Sequence, residues 1–177
     1  SIRRQRQMCI RDSWNTWLES GKYEIIKDEQ GLYTVLPKKT NQSSQTNSVT
    51  LRPIPRDIPT GENISPASLS IETEHDHYPL STTEVKITIT NHSHYEYECG
   101  EKYSLAYYNK SKRQWETLPT DPVVNDILWI FPPEHPSHQQ TIKLYTSESP
   151  NHPGKYRIYK SFNRGTKVAY GEFELLP

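Results

Sequence analysis

The chain is poor in the residues that usually announce a mechanism. It has two cysteines, Cys9 and Cys99. They lie far apart, so neither a disulfide framework nor a thiolate zinc site is expected. No run approaches the roughly 18–20 apolar residues that span a bilayer. No secretory hydrophobic segment is visible either, so an export signal or membrane tether is expected only in a segment upstream of this sequence. An excess of one charge is also missing. Lys plus Arg and Asp plus Glu each total 21, which removes any bulk attraction to nucleic acid or anionic lipid. There is no G-x-S-x-G, no H-E-x-x-H and no glycine-rich phosphate cradle. Apolar residues make up 32% of the chain, too few for one core from end to end, and the shortage is unevenly spread.

That unevenness divides the sequence. Residues 1–12, "SIRRQRQMCIRD", are basic and aperiodic and read as a disordered or non-native leader. Residues 13–37 read as a short helix and hairpin: Ser13 caps a turn that puts Trp14, Trp17 and Leu18 on one face, and Gly31 turns the following hairpin. Residues 38–65 are rich in Ser, Thr, Asn and Gln, then in proline. They read as a linker, with "LRPIPRDIP" able to lie extended along a neighbouring domain. From residue 66 the pattern becomes period-2. "TEVKITITN" is the clearest strand, with Val85, Ile87 and Ile89 inward and Lys86, Thr88 and Thr90 outward. Leu69, Ile71 and Thr73 share a face, as do Tyr156 and Ile158, and Ala169, Gly171, Phe173 and Leu175. Seven to nine short strands in roughly 110 residues, with no segment of helical period, predict an all-β sandwich or small barrel.

The motifs "VKITITNHSHYEYECGEKYSLAYYNKSKRQWETLP", "PGKYRIYKSF" and "VAYGEFEL" follow one another in an order that resembles a bacterial immunoglobulin-like domain family. The resemblance covers about residues 66–177. It implies an immunoglobulin-like β-sandwich and an exported or envelope-associated setting. It brings no catalytic residues.

Candidate chemistry is sparse beside this scaffold. His75 with His77, and His92 with His94, could in principle supply four ligating nitrogens. Antiparallel pairing of residues 69–77 with 84–91 would put the two pairs at opposite ends. His135, His138 and His152 are placed in proline-rich turns. Glu72, Glu74, Asp76, Glu96, Glu98 and Glu101 follow the alternation of solvated strand faces rather than the layout of an acid–base pair. Asp121 and Asp126 lack the periodicity of a calcium loop. Cys99 reads as a small buried hydrophobe. Trp115 is expected in the core. Tyr95 and Tyr97 are in phase, whereas Tyr107 and Tyr108 oppose each other, so an outward tyrosine row could stack a sugar or meet a protein. Basic residues between Lys155 and Lys167 are expected to divide between faces, with Arg157 opposing Lys155, leaving no nucleic-acid stripe. No catalytic, cofactor-binding or metal residue is assigned, and no cofactor is expected. The expectation is a noncatalytic binding or spacer module at the cell envelope or outside the cell, with a protein or carbohydrate partner. The alternative is an accessory domain of a larger enzyme or a carbohydrate-binding module.

Overall fold

A computed structural model describes residues 21–29, 31–38, 51–133 and 136–177. The strands are, in chain order, β1 (Tyr23–Lys27), β2 (Tyr33–Pro37), β3 (Ile54–Pro55), β4 (Glu62–Asn63), β5 (Leu69–Thr73), β6 (His77–Pro79) and β7 (Glu84–Asn91). They continue as β8 (Tyr97–Gly100), β9 (Ser104–Asn109), β10 (Gln114–Thr120), β11 (Leu128–Phe131), β12 (Ser137–Lys143), β13 (Gly154–Phe162) and β14 (Lys167–Leu176). One 3-10 turn, Asn163–Gly165, is the only helical element among the described residues. The leader, the capped turn at Ser13 and the polar stretch 39–50 lie outside those residues.

Two sheets form the sandwich. One has the order β12-β7-β5; the other runs β3-β10-β9-β13-β14-β4, with β6 also on β14. The alternating strands supply the layer between them. Val85, Ile87 and Ile89 of β7, Ile71 of β5 and Ile142 of β12 meet Leu105, Tyr156, Ile158, Phe173 and Leu175 from the second sheet. Burial of these branched and aromatic side chains is the main stabilising term. Tyr156 stacks on Phe173 with ring centroids 5.2 Å apart, and Tyr78 meets Phe173 edge-on at 5.7 Å. Gly171 sits where the sheets close at their edge: a Cβ there would lie 2.6 Å from the Ile71 carbonyl oxygen. The small face of β14 therefore admits the backbone of β5 as well as bulky side chains.

Asn91, at the end of β7, is wholly buried. Its amide donates to the carbonyls of Tyr95, Phe131 and Pro132, and its oxygen accepts from the Ser93 amide and hydroxyl. This one side chain pins the 92–96 loop to the end of β11. A buried amide can be tolerated here because its donors and its acceptor are all engaged.

The N-terminal segments are bound to this body. The β1–β2 hairpin adds to the small sheet β1-β2-β11-β8 through pairs such as Val35 with Leu128, and Leu32 joins the core. Within residues 51–65, read from sequence as linker with "LRPIPRDIP" able to lie extended along a domain, the chain takes that extended course. Ile54 and Pro55 pair with Thr120 and Pro119 at the β10 edge, and Glu62 and Asn63 pair in parallel with Lys167 and Val168 at the β14 edge. Between them the chain crosses the outer face of the sheet as a strap. Ser104 Oγ donates to the Asp57 carbonyl at 2.8 Å, and Ile58 covers Ala106, Tyr159 and Val168. Prolines suit such edge positions because a strand partner asks for few of their missing N–H groups. Composition undervalued the segment: a few well-placed apolar contacts and ladder bonds offset its ordering entropy.

Candidate functional site

The two faces of β13 carry the chain's most unusual chemistry. Alternation places Tyr156, Ile158, Lys160 and Phe162 inward and Lys155, Arg157, Tyr159 and Ser161 outward. Arg157 therefore shares a face with Lys155 and does not oppose it, because residues two apart on a strand point the same way. The outer face is not a basic stripe. Lys155 stands opposite Glu174, and Arg157 opposite Glu172, to which its Nε donates at 2.6 Å.

Arg157 is also the centre of a ladder. Its guanidinium carbon lies 4.2 Å from the ring centroids of both Trp115 and Tyr170. Trp115 in turn packs on Tyr108, its cross-strand partner, at 5.2 Å, and Tyr170 packs on Tyr159 at 5.7 Å. Trp115 is thus not a residue of the inter-sheet core. It is half-buried on the outer face, where arginine and tyrosine cover its ring. The tyrosines do not form the row expected from sequence. Tyr107 turns inward to Tyr156, Tyr108 turns outward to Trp115, and Tyr97 is buried while Tyr95, in the preceding loop, is 67% exposed. The in-phase reading fails because β8 begins only at Tyr97.

Inside, Lys160 is 0% exposed. Its Nζ donates to the Gly100 carbonyl at 2.6 Å and to Gln140 Oε1 at 2.9 Å, and lies 5.0 Å from the Trp129 ring centroid. Gln140 completes the network by donating to the Glu101 carbonyl at 2.7 Å. Burial pushes the lysine pKa below its ordinary value. His138 belongs to the same neighbourhood. It is not in a turn but on β12, in phase with Gln140 and Ile142, and its ring centroid is 4.0 Å from that of Trp129. Burial first, and then the charge of Lys160, bring its pKa down to about 4. Burial raises the Cys99 thiol to about 11, so it is a poor source of thiolate at neutral pH.

A cleft of about 800 Å³ opens where the strap passes the ends of β8, β9 and β13. Arg56, Lys102 and Arg164 contribute cations to its lining, and Asp57 and Glu98 contribute carboxylates. Arg164 Nε is 3.5 Å from Glu98 Oε1. Arg56 uses one nitrogen on the backbone, donating from Nη2 to the Asp121 carbonyl at 2.6 Å and the Pro122 carbonyl at 3.4 Å. Its Nε is shielded from solvent and has no partner, the one such side-chain atom among the described residues.

The remaining candidates are scattered. Leu69 pairs with Asn91 and Thr73 with Ile87, so His75 and His77 lie beyond one end of β5 and His92 and His94 beyond the other. His75 packs on Tyr78, His77 Nε2 is 3.8 Å from Glu174 Oε2, and His92 Nε2 is 2.9 Å from Ser70 Oγ. Tyr107 packs on His152; His135 lies outside the described residues. Among the described residues no three His, Cys, Asp or Glu side chains gather as a metal site. Burial, then Glu98, raises the Glu96 carboxyl pKa. Glu101 accepts from the Asn125 backbone and side chain, and the Asp121 carboxylate accepts from the Tyr145 hydroxyl. The network around Lys160 was missed from sequence, although a lysine in phase with Tyr156, Ile158 and Phe162 was a visible signal.

The two facing sheets, with β5 leaving one and β6 joining the other beside β14, define an immunoglobulin-like β-sandwich. A model of the family described as Bacterial Ig-like domain matches residues 65–174, and the chain belongs to that family. No curated protein matches it. Among solved structures it is similar to the Pseudomonas fluorescens alkylpurine DNA glycosylase AlkC bound to DNA containing an abasic site analog. That similarity has 12% identity and a TM-score of 0.32, and it covers 63% of this chain and 31% of that one. The chain thus spans about a third of the length of that protein.

Proposed function

We propose that this chain is a noncatalytic binding or spacer module of a bacterial envelope-associated protein, with a protein or carbohydrate partner. The observation that carries the reading is how its polar groups are used. Arg157 is spent on aromatic rings and Glu172, Lys160 on two carbonyl oxygens, and Asn91 on three carbonyls. Each ties neighbouring strands or loops together, and groups spent in this way stiffen a scaffold. Membership of the Bacterial Ig-like domain family supports the same reading. The hairpin and strap add paired strands to the body beyond the matched region.

The test is location. The full-length gene product, tagged and expressed in its own bacterium, is expected in the envelope fraction and is expected to be cut when intact cells are treated with protease. Recovery in the cytosol, with the tag protected until lysis, would sink the envelope assignment.

A further inference from the structure

We propose that the cleft beneath the strap binds a small ligand bearing an oxyanion, a carboxylate or a phosphate group, with Arg56 and Lys102 as its cationic partners. The proposal goes beyond the binding reading above and does not depend on the envelope assignment. Three observations converge. At about 800 Å³ the cleft falls within the size range of small-molecule sites. Its cations outnumber its carboxylates, and one of those carboxylates, Glu98, already faces Arg164. Arg56 and Lys102 form no ion pair among the described residues, and Asp57 is the one further carboxylate beside them, so the cleft keeps a net positive charge.

The third observation is the unpaired Arg56 Nε. A shielded guanidinium N–H without an acceptor loses its hydration and gains nothing in return. Charge-assisted bonds from arginine to an oxyanion are among the strongest a protein makes, and a planar fork fits both carboxylate and phosphate. An acceptor seated beside Nε would satisfy this donor. Nε is closed to solvent, so the strap must shift outward for the ligand to reach it. The strap is held by two residue pairs at β3 and two at β4, by the Glu62 and Ile64 amides on the Thr166 and Val168 carbonyls, by the Ser104–Asp57 bond and by the Ile58 contact, so the ligand's contacts must offset whichever of these the shift breaks.

The test titrates the chain with potassium phosphate and, separately, sodium succinate, holding ionic strength constant with chloride. Calorimetry measures affinity and the Arg56 Nε–H resonance reports the contact. Saturable binding is expected, with a dissociation constant below about 1 mM and a shifted Arg56 resonance. Arg56→Gln is expected to weaken binding at least about tenfold and Lys102→Gln several-fold, while Lys112→Gln, on the turn after β9, changes nothing. Saturation by phosphate alone, or by succinate alone, upholds the site and names the group it takes. Absence of saturation with both anions overturns it, and so does unchanged affinity in Arg56→Gln. If Arg56→Gln fails to fold, unchanged affinity in Lys102→Gln overturns the proposal by itself. A null titration leaves the envelope assignment standing, and a cytosolic location leaves a measured affinity standing, so the two failures are distinguishable.

Discussion

Arg157 and Lys160 stand three residues apart on β13 and solve opposite problems. Arg157 keeps its charge on the outer face, stacked between Trp115 and Tyr170 and bonded to Glu172. Lys160 points into the core, where its amine meets a carbonyl, an amide oxygen and an indole ring. A delocalised guanidinium suits flat rings and a partly wet face. A compact amine suits a tight cage of oxygens, and burial lowers its pKa. The lesson is that the two faces of one strand follow different rules: the inner face depends on burial and complete hydrogen bonding, the outer face on contacts that water weakens.

The sharpest break between the faces should come from paired aromatic deletions. Phe173 is buried and stacked on Tyr156, so Phe173→Ala should cost about 3–5 kcal/mol. Trp115→Ala removes a larger ring but from the outer face, and should cost about 1–2 kcal/mol. Urea unfolding of both variants checks the order. Equal losses would show that the strap and ladder make the outer face a second core.

Lys160 comes next. Lys160→Ala leaves the Gly100 and Gln140 oxygens without their donor and opens a cavity, at a cost of about 3 kcal/mol. Lys160→Met keeps the volume and removes the buried amine, and should cost about 1 kcal/mol. The pH dependence separates a charged role from a packing role. The folded pKa lies below the unfolded value of about 10.5, so the unfolded chain binds more protons between the two. The contribution of Lys160 to stability is complete above about pH 10.5 and is lost as pH falls through the folded pKa. Lys160→Met should flatten that slope in chemical denaturation series run across the alkaline range.

These two positions also mark what could be read from sequence. Period-2 alternation was enough for the inner faces of β5, β7 and β14, because apolar residues at every second position leave no other solution for a sheet with a buried side. The family was legible separately, by resemblance, through the order of motifs such as "PGKYRIYKSF" and "VAYGEFEL". Trp115 was misplaced because size and hydrophobicity favour a core equally well from either face, and only its pairing with the outward Tyr108 decides. Lys160 was overlooked because a charge is ordinarily assigned to solvent, although its phase put it inside. The extended course of "LRPIPRDIP" was legible as an option, but the edges on which the strap pairs were not. Its partners, at Thr120 and Val168, lie far away in sequence, and its composition resembles that of unpaired chain. The cleft was hidden with it, since Arg56 and Lys102 share a wall only once the strap is laid down.

His138 offers a smaller probe of the inner face. Its pKa of about 4, set by burial and then by Lys160, lies below the unfolded value of about 6.5. Its neighbours include Trp129 and Lys160, with Asp28 and Glu101 pulling the other way. Stability should be complete above about pH 6.5 and fall as the pH drops toward 4. The loss is about 1–2 kcal/mol once the partial exposure of the ring is allowed for. His138→Gln should remove most of that acid loss in denaturant midpoints measured from pH 7 to pH 4. An unchanged slope would place the acid sensitivity on the carboxylates instead.

The smallest expected effect tests whether the outer face is a unit or a set of neighbours. The guanidinium of Arg157 is shared by two rings and a carboxylate, so removing Trp115 leaves Tyr170 and Glu172 in place. Single losses should therefore overstate the pair, and a double-mutant cycle of Trp115→Leu with Arg157→Met isolates the contact between them. A coupling of about 0.5–1 kcal/mol is expected for a cation over a ring on a partly solvated face. It should persist at high salt better than the coupling of Arg157 with Glu172, because ions screen an exposed pair more than a covered ring contact. Equal salt sensitivity of the two couplings would mean that the rings merely surround the arginine, and that Glu172 alone holds it.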